Sequence, residues 1–183
     1  MKKINVLTIA FAALALSACS SLKEAATVKI GVPNFNIEFP ANLGVTRSGE
    51  GITRVGTPFS GSYVLSINES QFSELKNYKN LIAGVTIQDV TITITKPGGG
   101  TGTATGVILS ATGVSPNFTL NTYTLGQEIQ GNANLLNFAK GVILQLKNSD
   151  SITISISGET DVATGPLTVT IAVKGVQVLV ETI

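Results

Sequence analysis

Acyl and group transfer at neutral pH usually rest on histidine as general base, and this chain has none. A serine–lysine dyad could replace it, and SxxK spacing occurs at Ser20…Lys23 and at Ser73…Lys76. The first lies in a short polar stretch near the start, where nothing would bury the lysine. The second falls on a predicted short helix, but the SDN and KTG companions and a GxSxG elbow are missing. Exposed polar positions explain both.

A carboxylate pair about 5–9.5 Å apart in a cleft would serve glycoside hydrolysis. Glu38, Glu50, Glu69, Glu74, Asp89, Glu128, Asp150, Glu159 and Asp161 are instead scattered among predicted turns and strand ends. Asp89 stands out, because it interrupts an otherwise apolar strand. It would become catalytic only with Glu38, Glu69 or Glu128 beside it, and we place it in water. Asp150 or Glu159 with Asp161 lack calcium-loop spacing. The run Gly98-Gly99-Gly100-Thr101-Gly102 completes no phosphate loop and precedes a strand, so no helix dipole faces it. Cys19 is the one cysteine, which excludes a disulfide or a thiolate metal site within one chain. The expectation is no catalytic residue, no metal and no cofactor.

Cys19 has a different use. Lys2 and Lys3 precede a largely apolar run over 4–16, broken by Asn5 and Thr8 and followed by Leu16-Ser17-Ala18-Cys19. The run has the length of a signal-peptide core and falls short of the roughly 20 residues of a membrane-spanning helix. The tetrad resembles the lipobox of bacterial lipoproteins: an aliphatic residue, two small ones and cysteine. That resemblance, confined to residues 1–19, implies diacylglycerol on the Cys19 sulfur, cleavage after Ala18 and acylation of the new amine. Ser20, where retained lipoproteins carry Asp, implies the outer rather than the inner membrane. The expected organisation is a signal peptide at 1–18, an acylated cysteine with a short tether at 19–27, and one β-rich domain at 28–183. A tether over 20–27 reaches at most about 28 Å, so the domain works near its bilayer.

Asp150-Ser151-Ile152 resembles the Asp-Ser/Thr-apolar site that some Bacteroidota O-glycosylate, which makes Ser151 a candidate acceptor. A helix-to-strand turn explains the same residues.

The elements that would position these groups are mostly strands. Charged residues make up 13% of the chain and hydrophobic residues 43%. Apolar residues alternate with Thr and Ser at Val28, Ile30 and Val32, at Phe35, Ile37 and Phe39, and at Tyr63, Leu65 and Ile67. Further strands are predicted at 103–111, 120–125 and 151–157, with loop or weak edge structure at 41–60. The runs 85–96 and 167–183 each slip phase once, near Gln88-Asp89 and at Lys174-Gly175. A slip turns side chains to the wrong face unless a bulge absorbs it or the strand crosses between sheets. The run Gly98–Gly102 reads as a hairpin.

Two stretches have helical spacing. One, at 69–79, would be capped by Asn68 in a box with Gln71 and would bury Phe72 and Leu75. The other, at 132–147, places Leu135, Phe138, Ala139, Val142, Ile143 and Leu146 on one stripe, with a strand at 142–147 as the competing reading. Together these predict a mainly β fold: a two-layer antiparallel β-sandwich of about eight strands with one packed amphipathic helix and one short helix.

Without Lys2 and Lys3, ten basic face eleven acidic side chains, so no electrostatic case exists for nucleic acid. Trp is absent and Phe and Tyr are few, which weakens sugar stacking. Two functions remain. One is a non-catalytic, membrane-anchored envelope lipoprotein with a structural or protein-interaction role, binding an envelope partner or its own copies. The other is a carrier holding a lipid or another amphiphile in an apolar groove between sheet and helix.

Overall fold

The computed structural model describes residues 27–44 and 56–181. Strands β1 (Thr27–Val32), β2 (Phe35–Leu43) and β3 (Thr57–Ser66) lead to two 3-10 turns, Ser70–Phe72 and Leu75–Leu81. Then come β4 (Ile82–Thr86), β5 (Asp89–Thr95), β6 (Thr103–Ala111), β7 (Phe118–Thr124) and the two-residue β8 (Glu128–Ile129). Helix α1 (Ala133–Gln145) precedes β9 (Ser151–Thr160), β10 (Leu167–Lys174) and β11 (Val176–Glu181). The fold is mainly β, a sandwich of antiparallel strands with a helix. Its described strands number eleven rather than eight, in an eight-stranded sheet ordered β7-β6-β9-β3-β2-β10-β5-β8 and a three-stranded sheet ordered β1-β11-β4.

The phase slips mark where chain passes between the sheets. Neighbours β2, β10 and β5 in the large sheet continue into neighbours β1, β11 and β4 in the small one. Buried parity flips at each passage, from Val173 to Val176 and from Ile87 to Val90. The corner is tied by Gly175, whose amide donates to Asn34 Oδ1 at 3.0 Å, and by the Gln88 amide, which is shared between the Lys174 and Gly175 carbonyls. Gly175 has φ +62°, and a Cβ there would lie 2.5 Å from Gln88 Cβ, so glycine alone fits.

The large sheet curls until its margins meet. β7 and β8 are its two edges, yet only residues 125–127 separate them in the chain, which spans at most about 14 Å. Its halves, β7-β6-β9-β3 and β2-β10-β5-β8, face each other and are joined where Ala41–Leu43 pair with Phe59–Gly61. Beyond Gly61 the strands β2 and β3 part, and aromatic rings fill the fork: Phe39 beside Tyr63 at 6.3 Å and Phe35 edge-on to Phe72 at 5.3 Å.

Helix α1 packs against β4, β5 and β7. Asn132 caps it, its side-chain oxygen accepting from the amides of Asn134 and Leu135. All six stripe residues, Leu135 to Leu146, are buried, so the helical reading of 132–147 holds over the competing strand. The segment at 69–79 is not a continuous helix. Asn68 caps nothing; its amide donates to Ser66 Oγ. Glu69 takes the N-cap position, and its carboxylate accepts from Ser66 N, Gln71 Nε2 and Tyr63 Oη, which ties the segment to β3. Phe72 and Leu75 are buried as expected, each within its own 3-10 turn. Two further corrections concern loops. β2 runs to Leu43 and β3 starts at Thr57, so part of 41–60 is strand. The glycine run is not a hairpin, since β5 pairs with β10 and β8 while β6 pairs with β7 and β9.

Candidate functional site

Cys19, its lipobox and the Ser20…Lys23 pair lie outside the described residues, as does Glu50. The other candidates can be placed, and the fold keeps them apart. Ser73 and Lys76 are both exposed, so water rather than an apolar wall surrounds the ammonium. Asp89 opens β5 at the corner between the sheets, half-buried and opposite Lys174 in register. Glu38 and Glu128 share a row on the outer face with Thr170 and Thr93 between them, which puts them about 14 Å apart. That exceeds the reach of a carboxylate pair. Glu69 is engaged by its three donors, Glu128 accepts from Gln130, and Asp161 Oδ1 accepts the Thr103 amide at 2.9 Å. No hydrogen bond joins Asp89 to Glu38, Glu69 or Glu128 among the described residues, nor do these hold a metal-binding group of His, Cys, Asp and Glu.

The candidate glycan acceptor Ser151 is exposed at the first position of β9, opposite Ser66. Asp150 before it is exposed too. Its carbonyl accepts the Ile67 amide at 2.9 Å and Oδ1 accepts Lys79 Nζ at 2.5 Å. The Lys79 hydrogen bond and then its charge hold the Asp150 carboxyl below the usual range, with a smaller pull from Lys76 against slight desolvation. This turn between α1 and β9 is therefore fixed by its own polar groups, and Ser151 lies where a bulky group meets solvent.

The interior beneath α1 is packed. Ile37, Val90 and Ile171 from one half of the curled sheet meet Leu65, Leu109 and Ile154 from the other, with Phe138 and Val142 of α1 between them. The void they leave measures about 20 Å³, close to the room one water occupies, and its walls are apolar.

Open grooves lie at the two ends. At the loop end, one of about 470 Å³ runs between Lys96–Thr101 and Asp161–Thr164. Another, about 490 Å³, adjoins it at Ala163 and is bordered by Asn42, Thr57 and Pro166. At the opposite end, where β1 begins, a groove of about 460 Å³ lies between β1 and the second 3-10 turn, lined by Val28, Ile30, Tyr78 and Val180 with Lys29 and Glu74.

Two structural residues escaped the sequence reading. Tyr123 lies in a Thr- and Asn-rich strand, yet its phenol is buried at the seam between β7 and β5, accepting from the Ile94 amide and donating to the Gln127 carbonyl. Thr160 is buried at the loop end, where its hydroxyl donates to the Thr103 carbonyl at 2.9 Å. Only their pairing across distant strands reveals either role.

No family model and no curated protein matches this chain. Among solved structures it is similar to a chain from Desmodium yellow mottle tymovirus, at 16% identity and a TM-score of 0.33, over 85% of this chain and 88% of that one. A likeness that low carries no functional argument.

Proposed function

We propose that this chain is a lipoprotein of the bacterial cell envelope, anchored through acyl chains on Cys19, whose β-sandwich is a non-catalytic structural or protein-interaction module. The observation that carries it is the tetrad Leu16-Ser17-Ala18-Cys19 behind a basic and then apolar leader, with the first described strand beginning eight residues later at Thr27. Ser20 after the cysteine favours the outer membrane. Each buried methylene contributes about 0.8 kcal/mol, so two or three acyl chains hold a protein to a bilayer without a helix. No helix of the described residues is long and apolar enough to cross a membrane.

The non-catalytic part is supported by where the polar groups stand. Glu69 is engaged by Ser66, Gln71 and Tyr63 and Asp161 by the Thr103 amide, the Ser73…Lys76 pair is in water, and Glu38 and Glu128 stand too far apart to act together. The carrier reading loses support to the packed interior: pockets for small ligands usually enclose roughly 300–1,000 Å³, against about 20 Å³ beneath α1.

The test is mass spectrometry of the protein extracted from its own envelope, after separation of inner and outer membranes. A mature N-terminal peptide beginning at Cys19 with two or three acyl chains, in the outer-membrane fraction, is expected. An unmodified Cys19 peptide, or one still joined to Ala18, would overturn the anchor. A stoichiometric copurifying lipid would revive the carrier.

A further inference from the structure

The eight-stranded sheet has its margins joined at the seam, where the Gly126 amide and the Tyr123 phenol bond both backbone groups of Ile94. In the small sheet, edge strand β4 is covered by α1, and the Lys147 ammonium sits on its Ile82 carbonyl at 2.8 Å. The remaining edge is β1. It pairs with β11 on one side through Thr27–Val32, and on the other side no described residue bonds its backbone. An antiparallel strand keeps half of its amides and carbonyls directed to that free side. Proteins blunt or use such an edge. Here it borders the groove of about 460 Å³, flanked by two exposed apolar side chains, Val28 at 49% and Tyr78 at 44% exposure.

We propose that β1 pairs antiparallel with β1 of a second copy of this chain about a two-fold axis at Ile30, joining two small sheets into one of six strands. This rests on the interaction reading above and names its partner. Three features favour a second copy. A strand edge is self-complementary under a two-fold axis. The groove holds one cation, Lys29, and one anion, Glu74, so doubling it adds no net charge. The register at Ile30 is the one that sets Lys29 opposite Gly31 and Val28 opposite Val32. An axis at Lys29 would set two ammonium groups face to face. Gly31 is exposed, and a Cβ there would meet nothing within 4 Å, which leaves room for the opposing lysine stem. The strand pairing is short, so the dimer is weak when free and depends on copies held in one membrane.

Two full-length variants, Lys29→Cys and Gly31→Cys, differently tagged and co-expressed, test it under mild oxidation of intact envelopes. Directly opposed residues have Cα atoms about 4.5–5.5 Å apart, within disulfide range, whereas residue 29 lies about 8 Å from its own copy, outside it. The expected result is a disulfide between positions 29 and 31 when both variants are present and little when either is alone. Both substitutions are at exposed positions, and circular dichroism checks that each variant folds. Absence of the mixed disulfide in folded protein overturns the proposal, and so does equal linkage of each variant to itself. Linked peptides identified by mass separate these products from any joined at Cys19. A chain acylated at Cys19 but lacking the mixed disulfide leaves the anchor standing and removes the dimer.

Discussion

The amide of Ile94 on β5 donates to the phenol oxygen of Tyr123 on β7, 2.9 Å away, across the seam where the margins of the large sheet meet. The same hydroxyl donates to the Gln127 carbonyl, so one side chain replaces the ladder that β5 and β7 do not form. Tyr123→Phe keeps the ring but leaves the buried Ile94 amide without a partner. We expect a loss of about 1–3 kcal/mol in denaturant unfolding. An unchanged midpoint would mean that the seam is held by packing alone.

The same phenol gives an alkaline signature. Burial raises its ionisation above the ordinary tyrosine value of 10.0, partly opposed by the Ile94 hydrogen bond. A folded value above the unfolded one means that this contribution is fully present below the unfolded value and is lost as pH rises through the folded one. Tyr63 is raised as well, by burial first and then by Glu69. Wild type should therefore lose stability from about pH 10 upward, and Tyr123→Phe should lose less over that range. Parallel stability–pH curves for the two proteins would remove Tyr123 as the source.

Gly61 fixes the joint between the halves of the large sheet. A Cβ there would lie 2.3 Å from the Pro40 carbonyl and 2.8 Å from Ala41 Cα, both backbone atoms that cannot step aside cheaply. Gly61→Ala should destabilise by about 1–3 kcal/mol, the range for overpacking. Gly31→Ala, with open space around it, should melt like wild type. Equal melting of the two variants would show that β2 and β3 are free to separate at the joint.

The core was legible where a single strand or helix carries its own pattern. Ile92, Ile94, Ile154, Ile156, Val169 and Ile171 alternate with Thr and Ser, and all six are buried. Truncation of Ile154 or Val169 to Ala should cost about 2–5 kcal/mol in thermal or denaturant unfolding, and wild-type melting of both would contradict the packing described. The phase slips also told where the strands turn, at Gln88 and Gly175, because a change of parity cannot be hidden in a buried strand. Period two names the buried face, though, and never the neighbour. Nothing local in Pro97–Gly102 says that β5 and β6 do not pair, or that Tyr123 reaches Ile94. The cap of the short helix was misplaced for a related reason. Asn68 and Gln71 fit a capping box on spacing alone, but the Glu69 carboxylate had a longer-range partner in Tyr63. For the candidate site, spacing suggested Ser73…Lys76 and Asp89, and three-dimensional placement left them in water and at a corner. The open edge of β1 could not be seen before β11 was known to be its only described neighbour.

Removal of the glycine run should be felt at the seam. A two-residue Asn-Gly turn closes a hairpin between paired strands, but β5 and β6 are separated by the end of β7. The Leu125 amide donates to the Gly102 carbonyl at 2.8 Å and the Gly126 amide to the Ile94 carbonyl at 2.8 Å. Replacing residues 98–102 with Asn-Gly shortens the connection by three residues and strains both bonds, so the loss should exceed the roughly 0.6 kcal/mol that a twofold change of loop length brings. Loss within that limit would show that the seam tolerates its loop.

Cys19→Ser separates the anchor from the fold. Lipid transfer forms a thioether, and a serine oxygen offers no sulfur nucleophile to the diacylglycerol donor. The variant should accumulate as an uncleaved or soluble form with no fatty-acid label, while the wild type carries the label and sediments with membranes. The domain itself should be indifferent, since Cys19 lies eight residues before Thr27, where the first described strand begins, and the described pairing of that strand with β11 runs over Thr27–Val32. Near-identical melting of the purified domain from both proteins is therefore expected, with the whole difference in the membrane fraction. Fatty-acid labelling of Cys19→Ser at the wild-type level would place the modification on another residue. The lipobox reading of residues 16–19 would then fall, although the sandwich would stand unchanged.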